Sequence, residues 1–299
     1  MIDVAREPAA VEAGPATIAP LPSFMVETMV REALAEDLGR AGDLTSNAIV
    51  PEGARAETAL VARRAGVIAG LDFAVAAFRL LDPAIAVEVK RADGNRVGPG
   101  ETIARVEGPA RGMLGAERTA LNFLCHLSGI ATATARVVAA VRPFGTHVTC
   151  TRKTIPGLRA AQKYAVRAGG GTNHRFGLDD AVLIKDNHVA VAGDIGEAIA
   201  RARAGIGHLV KIEVEVDTLA QLEAALVAGV DAVLLDNMAP ETLREAVAMV
   251  AGRAVTEASG GITPERAAEI AATGVDLISL GWLTHSVAAL DIGLDYRGG

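Results

Sequence analysis

The sequence predicts an α/β protein whose second half is a barrel of parallel strands, preceded by a region that mixes helices and strands. Between residues 146 and 281, six short apolar segments alternate with amphipathic segments of helical period. This alternation is typical of βα units and a parallel sheet, either open or closed into a barrel. The barrel is favoured because all six apolar segments lead into charged residues or glycines, and the carboxyl ends of barrel strands converge on one face.

Composition limits the class of protein. The chain has 299 residues, of which 51% are hydrophobic and 22% charged, and this length predicts one large domain or two. Its 29 Lys and Arg against 36 Asp and Glu give a net charge of −7, which argues against a general nucleic-acid-binding protein but allows a small cationic pocket. The two cysteines, Cys125 and Cys150, are too far apart for a CxxC motif and fit a reduced, cytoplasmic setting.

The first 22 residues are rich in Ala and Pro, and we predict that residues 1–22 form a flexible tail. No apolar stretch follows a basic start, so a signal peptide is not expected. No run of 18 apolar residues occurs, so a membrane span is not expected either.

The next region reads as a mixture of helices and strands. A segment from Gly94 to Gly108 is punctuated by glycines and is faintly similar to half of a biotinyl or lipoyl carrier fold. No acceptor lysine stands at its hairpin tip, so we interpret it as two strands joined by a turn. Before it, the periodicity predicts a helix from Phe24 that stops at Gly39, strands at 58–64 and 66–70, a buried helix at 71–81, and a half-buried strand at 85–89.

The pattern changes at Met113. Two helices are predicted there, at 113–127 and 130–142, and Pro143 closes the second. Strands are then predicted at 146–150, 181–185, 209–215, 232–236, 254–258 and 276–281. Helices are predicted between them at 158–169, 194–204, 218–228, 241–251 and 264–273.

The residues at the strand ends indicate the chemistry. The cations are Arg152, Lys153 and Lys185, joined by His174 and Arg175 in a loop, and the anions are Glu215 and Asp236. An acidic protein that gathers cations at one barrel mouth is expected to bind a polyanionic small molecule. The glycines Gly260, Gly261 and Gly281 follow the last two strands, where barrels commonly bind phosphate.

The two carboxylates suit a different part of a ligand. Glu215 and Asp236 repel phosphate, so their expected partners are sugar hydroxyls or Mg²⁺. A phosphorylated sugar and a second, anionic reactant are therefore predicted. Taken alone, Lys185 could equally form a Schiff base, and His174 could be structural. The run Gly169–Gly171 follows a helix rather than a strand, which excludes a dinucleotide loop.

Several motifs in order resemble the quinolinate phosphoribosyltransferase family. The resemblance runs from about residue 24 to 295, nearly the whole chain, and the motifs are specific because each spans several residues. They are Glu36-Asp37-Leu38-Gly39, Gly42-Asp43-Leu44-Thr45, Glu117-Arg118-Thr119-Ala120-Leu121-Asn122, Thr151-Arg152-Lys153-Thr154, Asn173-His174-Arg175, Leu183-Ile184-Lys185-Asp186-Asn187-His188, Glu213-Val214-Glu215, Leu234-Leu235-Asp236-Asn237 and Glu257-Ala258-Ser259-Gly260-Gly261-Ile262.

The resemblance implies an α+β N-terminal domain at 23–128 and an incomplete α/β barrel of seven strands at 129–285. A C-terminal segment, 286–299, could pack back on the first domain. The implied activity is that of a pentosyltransferase in NAD biosynthesis, which joins quinolinate to phosphoribosyl pyrophosphate and releases nicotinate mononucleotide, pyrophosphate and CO₂ with Mg²⁺. A cytoplasmic homodimer with shared active sites, or a higher oligomer, is also implied, without nucleic acid or membrane as partner.

The resemblance assigns roles to residues. Arg152, Lys153, His174 and Arg175 would bind quinolinate, with Arg118 entering from the neighbouring subunit. Glu215 and Asp236 would bind ribose hydroxyls and Mg²⁺, directly or indirectly, and Lys185 would face sugar or pyrophosphate oxygens. The implied catalytic set is Lys153, Lys185, Glu215 and Asp236; the other implied substrate-binding residues are Thr151, Ser259, Gly260, Gly261, Ser279, Leu280 and Gly281.

Three rival functions stay open on the sequence. One is a related phosphoribosyltransferase-like protein with another substrate, such as one associated with molybdate transport genes. Another is a lyase that forms a Schiff base through Lys185. The third is a binding protein without catalytic activity.

Overall fold

The structure is a computed structural model that describes residues 18–296. Most of the predicted tail, residues 1–22, therefore lies outside the described residues. The described chain forms an N-terminal region of helices and antiparallel strands and a larger region built on a parallel sheet. The N-terminal elements are α1 (Ser23–Leu38), α2 (Leu44–Ile49), β1 (Arg55–Ala62), β2 (Gly66–Val67), α3 (Leu71–Leu81), β3 (Ala86–Val89), β4 (Arg96–Val97) and β5 (Thr102–Pro109).

The periodicity located most of these elements correctly. Helix α1 buries Val26, Val30 and Leu34 on one face and ends at Gly39, which has a positive φ of 54°. Helix α3 occupies the predicted residues 71–81. Helix α2 was not predicted because it has only six residues; it forms where the Asp43 side chain accepts a hydrogen bond of 2.9 Å from the Ser46 amide.

A four-stranded antiparallel sheet organises the N-terminal region in the order β12-β1-β5-β3. Its outer strand β12 (Ile292–Tyr296) comes from the other end of the chain and pairs with β1, with Thr58 opposite Tyr296. The sequence analysis did not predict this strand. A ladder thus joins two segments that are far apart in the sequence, and periodicity within a short window contains no signal for such pairing.

The prediction of two helices at 113–127 and 130–142 is wrong. A single helix, α4 (Ala110–Val141), runs through both. The residues between the two predicted helices serve packing: the Ser128 hydroxyl accepts a hydrogen bond of 3.0 Å from the Ala69 amide, and a Cβ at Gly129 would overlap the backbone of Ala288. Because α4 contributes to both hydrophobic cores, it connects the two regions of the molecule.

The same helix is the one described segment with a length and composition that would suffice to cross a bilayer, over residues 110–144. However, 56% of its most apolar stretch is buried inside the protein. A long, mostly buried core helix of a globular protein has the same length and composition.

The C-terminal region is an incomplete α/β barrel, as predicted, but the described chain has six parallel strands rather than the seven that the resemblance implies. Its six parallel strands follow the order β6-β11-β10-β9-β8-β7. All six predicted strands are present, as β6 (His147–Thr149), β7 (Val182–Ile184), β8 (Ile212–Val216), β9 (Ala232–Asp236), β10 (Val255–Ser259) and β11 (Leu277–Ser279). At the place of a seventh strand, the described chain has a single parallel bridge between Thr149 and Thr172.

Helices cover the outside of this sheet. They are α5 (Arg159–Ala168), α6 (Asp186–Ala192), α7 (Ile195–Gly205), α8 (Leu219–Ala228), α9 (Pro240–Val250) and α10 (Ala267–Ala271). Five of them occupy predicted positions, with α10 shorter than expected, and α6 was not predicted as a helix. The core between the helices and the sheet is aliphatic, with Val214, Val233 and Leu235 fully buried.

Candidate active site

A cavity of about 360 Å³ opens at the carboxyl ends of the parallel strands. It forms there because the strands are in register, so that Ser259 at the end of β10 lies beside Asp236 at the end of β9. Parallel strands thus bring together side chains that are far apart in the sequence. The residues that line the cavity are Thr151, Arg152, Lys153, His174, Arg175, Leu183, Lys185, Glu215, Leu234, Asp236, Glu257, Ser259 and Ser279.

Two arginines form the cationic side of the cavity. The Nε atoms of Arg152 and Arg175 are buried and have no hydrogen-bond partner among the described residues. Burial, followed by the neighbouring Arg152, lowers the pKa of Arg175 from its ordinary value. Two half-buried arginines, each with a buried Nε donor that no described residue accepts, favour an anionic ligand, because it would supply both the missing acceptors and the missing negative charge.

Local hydrogen bonds hold these cations in place. The Arg175 guanidinium donates from Nη1 to the carbonyl oxygen of Ala181 at 2.9 Å. The Lys153 amide donates to Oγ1 of Thr151 at 3.0 Å, and the Thr284 hydroxyl donates to the Lys153 carbonyl at 2.9 Å. The cation-bearing loop after β6 is therefore fixed from within and from the segment that follows β11.

The anionic side consists of Glu215 on β8 and Asp236 on β9. Lys185 donates a hydrogen bond to Oε2 of Glu215 and forms an ion pair with it. Oδ2 of Asp236 accepts a hydrogen bond of 2.7 Å from the Asn237 side chain. Each of these contacts uses one carboxylate oxygen, so both groups have a second oxygen with which to bind a hydroxyl group or a hydrated cation.

The glycines of this region have steric roles. Gly260 has a φ of 93°, and a Cβ there would overlap the side chain of Asn237, so the position requires glycine. A Cβ at Gly281 would come within 3.0 Å of Cδ of Lys153. Gly260, Gly261, Gly281, Leu280 and Arg118 do not line the cavity of this chain.

His174 lies on the floor of the cavity, and protein partners engage both of its ring nitrogens. Its Nδ1 accepts a hydrogen bond of 2.8 Å from the Arg175 amide, so Nε2 carries the proton and donates to Oε2 of Glu213 at 2.9 Å. Burial disfavours a charged ring, but the bond to Glu213 and the charge of Glu257 outweigh burial and raise the pKa of His174.

Glu257 completes this buried group. The residue is 2% exposed, and its Oε1 lies 3.8 Å from Nε2 of His174 without a hydrogen-bond partner among the described residues. Burial, followed by the charge of Glu213, raises the pKa of Glu257 to about 7.

The three side chains of His174, Glu213 and Glu257 are close enough to surround a metal ion. A lone pair on Nε2 would be needed for this, and the backbone donor at Nδ1 keeps the proton on Nε2. In this geometry the cluster is therefore a proton-holding group rather than a metal centre.

Comparison with known proteins assigns the chain to a family. The family model for the C-terminal domain of quinolinate phosphoribosyl transferase matches residues 130–295, and the model for its N-terminal domain matches residues 43–128. The chain belongs to the quinolinate phosphoribosyltransferase family. The resemblance inferred from the sequence motifs is thereby confirmed.

Curated relatives and solved structures agree with this family. The chain is 45% identical over 272 residues to a probable nicotinate-nucleotide pyrophosphorylase [carboxylating] of Bacillus subtilis, covering 91% of this chain and 93% of the relative. It is 48% identical over 274 residues to the enzyme of that name from Mycobacterium leprae, covering 89% and 95%. The solved nicotinate-nucleotide pyrophosphorylase of Francisella tularensis superposes with a TM-score of 0.90 at 40% identity, covering 94% of this chain and 99% of that one.

Within the quinolinate phosphoribosyltransferase fold, the structure brings most of the predicted site residues together. The exception that matters most for the chemistry is Arg118, which is exposed on α4 and lies outside the cavity of its own chain.

The sequence did not predict that Glu213 and Glu257 surround His174, although both glutamates belong to the family motifs given above. A usable signal was present in Glu213-Val214-Glu215. Side chains alternate across a strand, so the two carboxylates flank the fully buried Val214 and point to the opposite face, into the barrel.

Proposed function

We propose that this chain transfers the phosphoribosyl group of phosphoribosyl pyrophosphate to quinolinate, with loss of CO₂, as a step of NAD biosynthesis in the cytoplasm. The products are nicotinate mononucleotide, pyrophosphate and CO₂. The observation that carries the proposal is the pair of buried, unpartnered Nε donors of Arg152 and Arg175 facing the carboxylates Glu215 and Asp236 across one cavity.

Quinolinate suits the cationic side because it carries two adjacent carboxylates. Arg152, Arg175 and Lys153 would bind them through charge-assisted hydrogen bonds, each worth about 1.5–3 kcal/mol. His174 would support this side from the floor, since Glu213 and the Arg175 backbone occupy its ring nitrogens.

The phosphorylated sugar suits the remaining walls. Glu215 and Asp236 would bind ribose hydroxyls through their free oxygens, and the hydroxyls of Ser259 and Ser279, with the backbone around Gly260, Gly261, Leu280 and Gly281, would hold the 5′-phosphate. Lys185 would turn from Glu215 towards the pyrophosphate.

The donor set also fits Mg²⁺. Two carboxylates with a free oxygen each, at neighbouring strand ends, are hard oxygen ligands of the kind that hold Mg²⁺ with several of its waters. When bound through Glu215 and Asp236, Mg²⁺ would neutralise charge on the pyrophosphate.

The residues would act by positioning and by electrostatics. The quinolinate ring nitrogen forms a bond to C1′ of the ribose as the bond from C1′ to pyrophosphate breaks, and Glu215 and Asp236 stabilise positive charge at C1′. The bond from C2 to its carboxylate then breaks, CO₂ leaves, and the electron pair stays on C2 beside the positive ring nitrogen until it takes up a proton. No covalent intermediate with the protein is needed.

The proposed active unit is a homodimer with shared sites. Arg118 would reach the cavity of the neighbouring subunit, which agrees with its exposure on α4 and with its absence from the lining of its own cavity. Each site would then be complete only in the dimer.

The Schiff-base alternative is disfavoured by the surroundings of Lys185. A lysine that forms a Schiff base is normally desolvated so that it can lose its proton. The side chain of Lys185 is 46% exposed rather than desolvated, and it already forms an ion pair with Glu215.

Replacement of Arg152 by Ala tests the proposed carboxylate cage. We expect kcat/KM for quinolinate to fall by about 30- to 1000-fold, because the transition state loses about 2–4 kcal/mol of charge-assisted bonding. Pyrophosphate release, with saturating phosphoribosyl pyrophosphate and Mg²⁺, measures the change.

The matched control is Arg201→Ala. Arg201 is an exposed arginine whose partner is Glu197 on the same helix, so activity should stay close to that of the wild type. An Arg152→Ala protein that folds and retains near-normal kcat/KM would contradict the assignment of this cation to the substrate.

A further inference from the structure

A lysine outside the cavity lining lies directly behind the cationic side of the site. Lys163 is on α5 and is fully buried, with a relative exposure of 0%. Its Nζ donates hydrogen bonds to the carbonyl oxygen of His174 at 2.8 Å and to Sγ of Cys150 at 3.2 Å, and it lies 5.1 Å from the centre of the Phe176 ring. Two hydrogen bonds and one cation–π contact thus surround the ammonium group.

None of these partners carries a formal negative charge. Within residues 18–296, Lys163 takes part in no ion pair at 4.0 Å or less. Asp180 interacts with Lys163 only through its charge, because its two carboxylate oxygens accept hydrogen bonds from the Phe176 and Gly177 amides. A buried charge without a directly paired counter-ion opposes folding, so stability alone does not explain a lysine at this position. Its neutral partners instead point to a role in the geometry of the adjoining site.

The partners of Lys163 belong to the two segments that carry the cations of the cavity. Cys150 immediately follows β6 and precedes Arg152 and Lys153, whereas His174 precedes Arg175. The Cys150 thiol also donates to Oδ1 of Asn173 at 3.4 Å. The ammonium group of Lys163 therefore links Cys150, at the start of the segment that carries Arg152, to His174 in the segment that carries Arg175. Lys163 itself does not line the cavity.

We propose that Lys163 is a positioning residue for the dicarboxylate substrate: it fixes the spacing between the Arg152 segment and the Arg175 segment. The inference rests on the proposed function, because it assumes that these two arginines bind quinolinate. Lys163 touches no substrate atom in this role and acts only through the two segments.

The test replaces Lys163 by Met, which has a similar length and no donor, and by Gln, which keeps one donor for the His174 carbonyl. We expect Lys163→Met to raise the KM for quinolinate by about 30-fold or more, as for the loss of charge-assisted hydrogen bonds, while the KM for phosphoribosyl pyrophosphate changes less than about 3-fold. The KM for quinolinate of Lys163→Gln should lie between those of Lys163→Met and the wild type.

The matched control is Lys211→Met, which removes an exposed lysine that pairs with Asp231. Both of its KM values should equal those of the wild type. If Lys163→Met does not fold, Lys163→Gln is judged by the same two KM values. Cys150→Ala removes the other acceptor and should shift the quinolinate KM in the same direction, and Cys150→Ser should restore it.

Two results would overturn the inference: unchanged KM values in a folded Lys163 variant, or an equal rise of both, which would indicate general damage. The wild type in the same assay separates this inference from the proposed function. If the wild type uses quinolinate and the KM values of the Lys163 variants are unchanged, only the role of Lys163 is contradicted. If the wild type does not react with quinolinate, the proposed function and the role of Lys163 are both contradicted.

Discussion

Nicotinic acid should be used at least about 10³-fold less efficiently than quinolinate, measured as kcat/KM with phosphoribosyl pyrophosphate and Mg²⁺. It lacks the 2-carboxylate, so it would leave part of the buried donor set of Arg152 and Arg175 without acceptors. Leaving a buried charged donor without an acceptor costs more free energy than the lost hydrogen bond contributed, so nicotinic acid should be strongly disfavoured as a substrate.

The control is picolinic acid, which keeps the 2-carboxylate and lacks the other. It should also be a poor substrate, because the cage would need both groups. Comparable turnover of nicotinic acid and quinolinate by the same preparation would show that Arg152 and Arg175 do not select a substrate with two carboxylates.

Mixed dimers should recover activity that neither parent possesses. Arg118→Ala and Arg175→Ala should each be nearly inactive, because every site of either homodimer lacks one of its cations. When the two are unfolded and refolded together in equal amounts, about half of the dimers should be mixed. In each mixed dimer one site carries both defects and the other carries neither. Recovered activity should therefore approach about a quarter of that of the wild type if the sites are independent.

Two controls accompany this experiment. Wild-type protein taken through the same treatment must regain its activity, and each variant refolded alone must stay inactive. A mixture that remains as inactive as its parents, while the wild type recovers, would mean that Arg118 acts within its own chain.

The sequence predicted the barrel and most of the cavity because both depend on local rules. An apolar segment of strand period followed by a charged residue determines where Lys185 or Asp236 lies, since all parallel strands end on one face. Helices α1 and α3 were located by their buried faces and by the glycine after α1.

Features that depend on distant contacts were not predictable in this way. The packing of Ala288 against Gly129 and the pairing of β12 with β1 both join segments that are far apart in the sequence. The same holds for the buried cluster of His174, Glu213 and Glu257. The sequence around His174 and Glu257 does not show that Nε2 of the histidine and Oε1 of the glutamate lie 3.8 Å apart. Lys163 is a plain example, because nothing in the sequence of α5 shows that its cation is buried.

The central claim is that this cavity couples phosphoribosyl transfer to loss of the 2-carboxylate, and quinolinate with a carbon label in that group tests it most directly. Labelled CO₂, pyrophosphate and nicotinate mononucleotide should appear in equal amounts when phosphoribosyl pyrophosphate and Mg²⁺ are present, and no labelled CO₂ should appear when phosphoribosyl pyrophosphate is omitted. Quinolinate labelled in its other carboxylate should leave all of its label in the nucleotide. Release of pyrophosphate without labelled CO₂, or no reaction of folded wild-type protein with quinolinate, would contradict the claim.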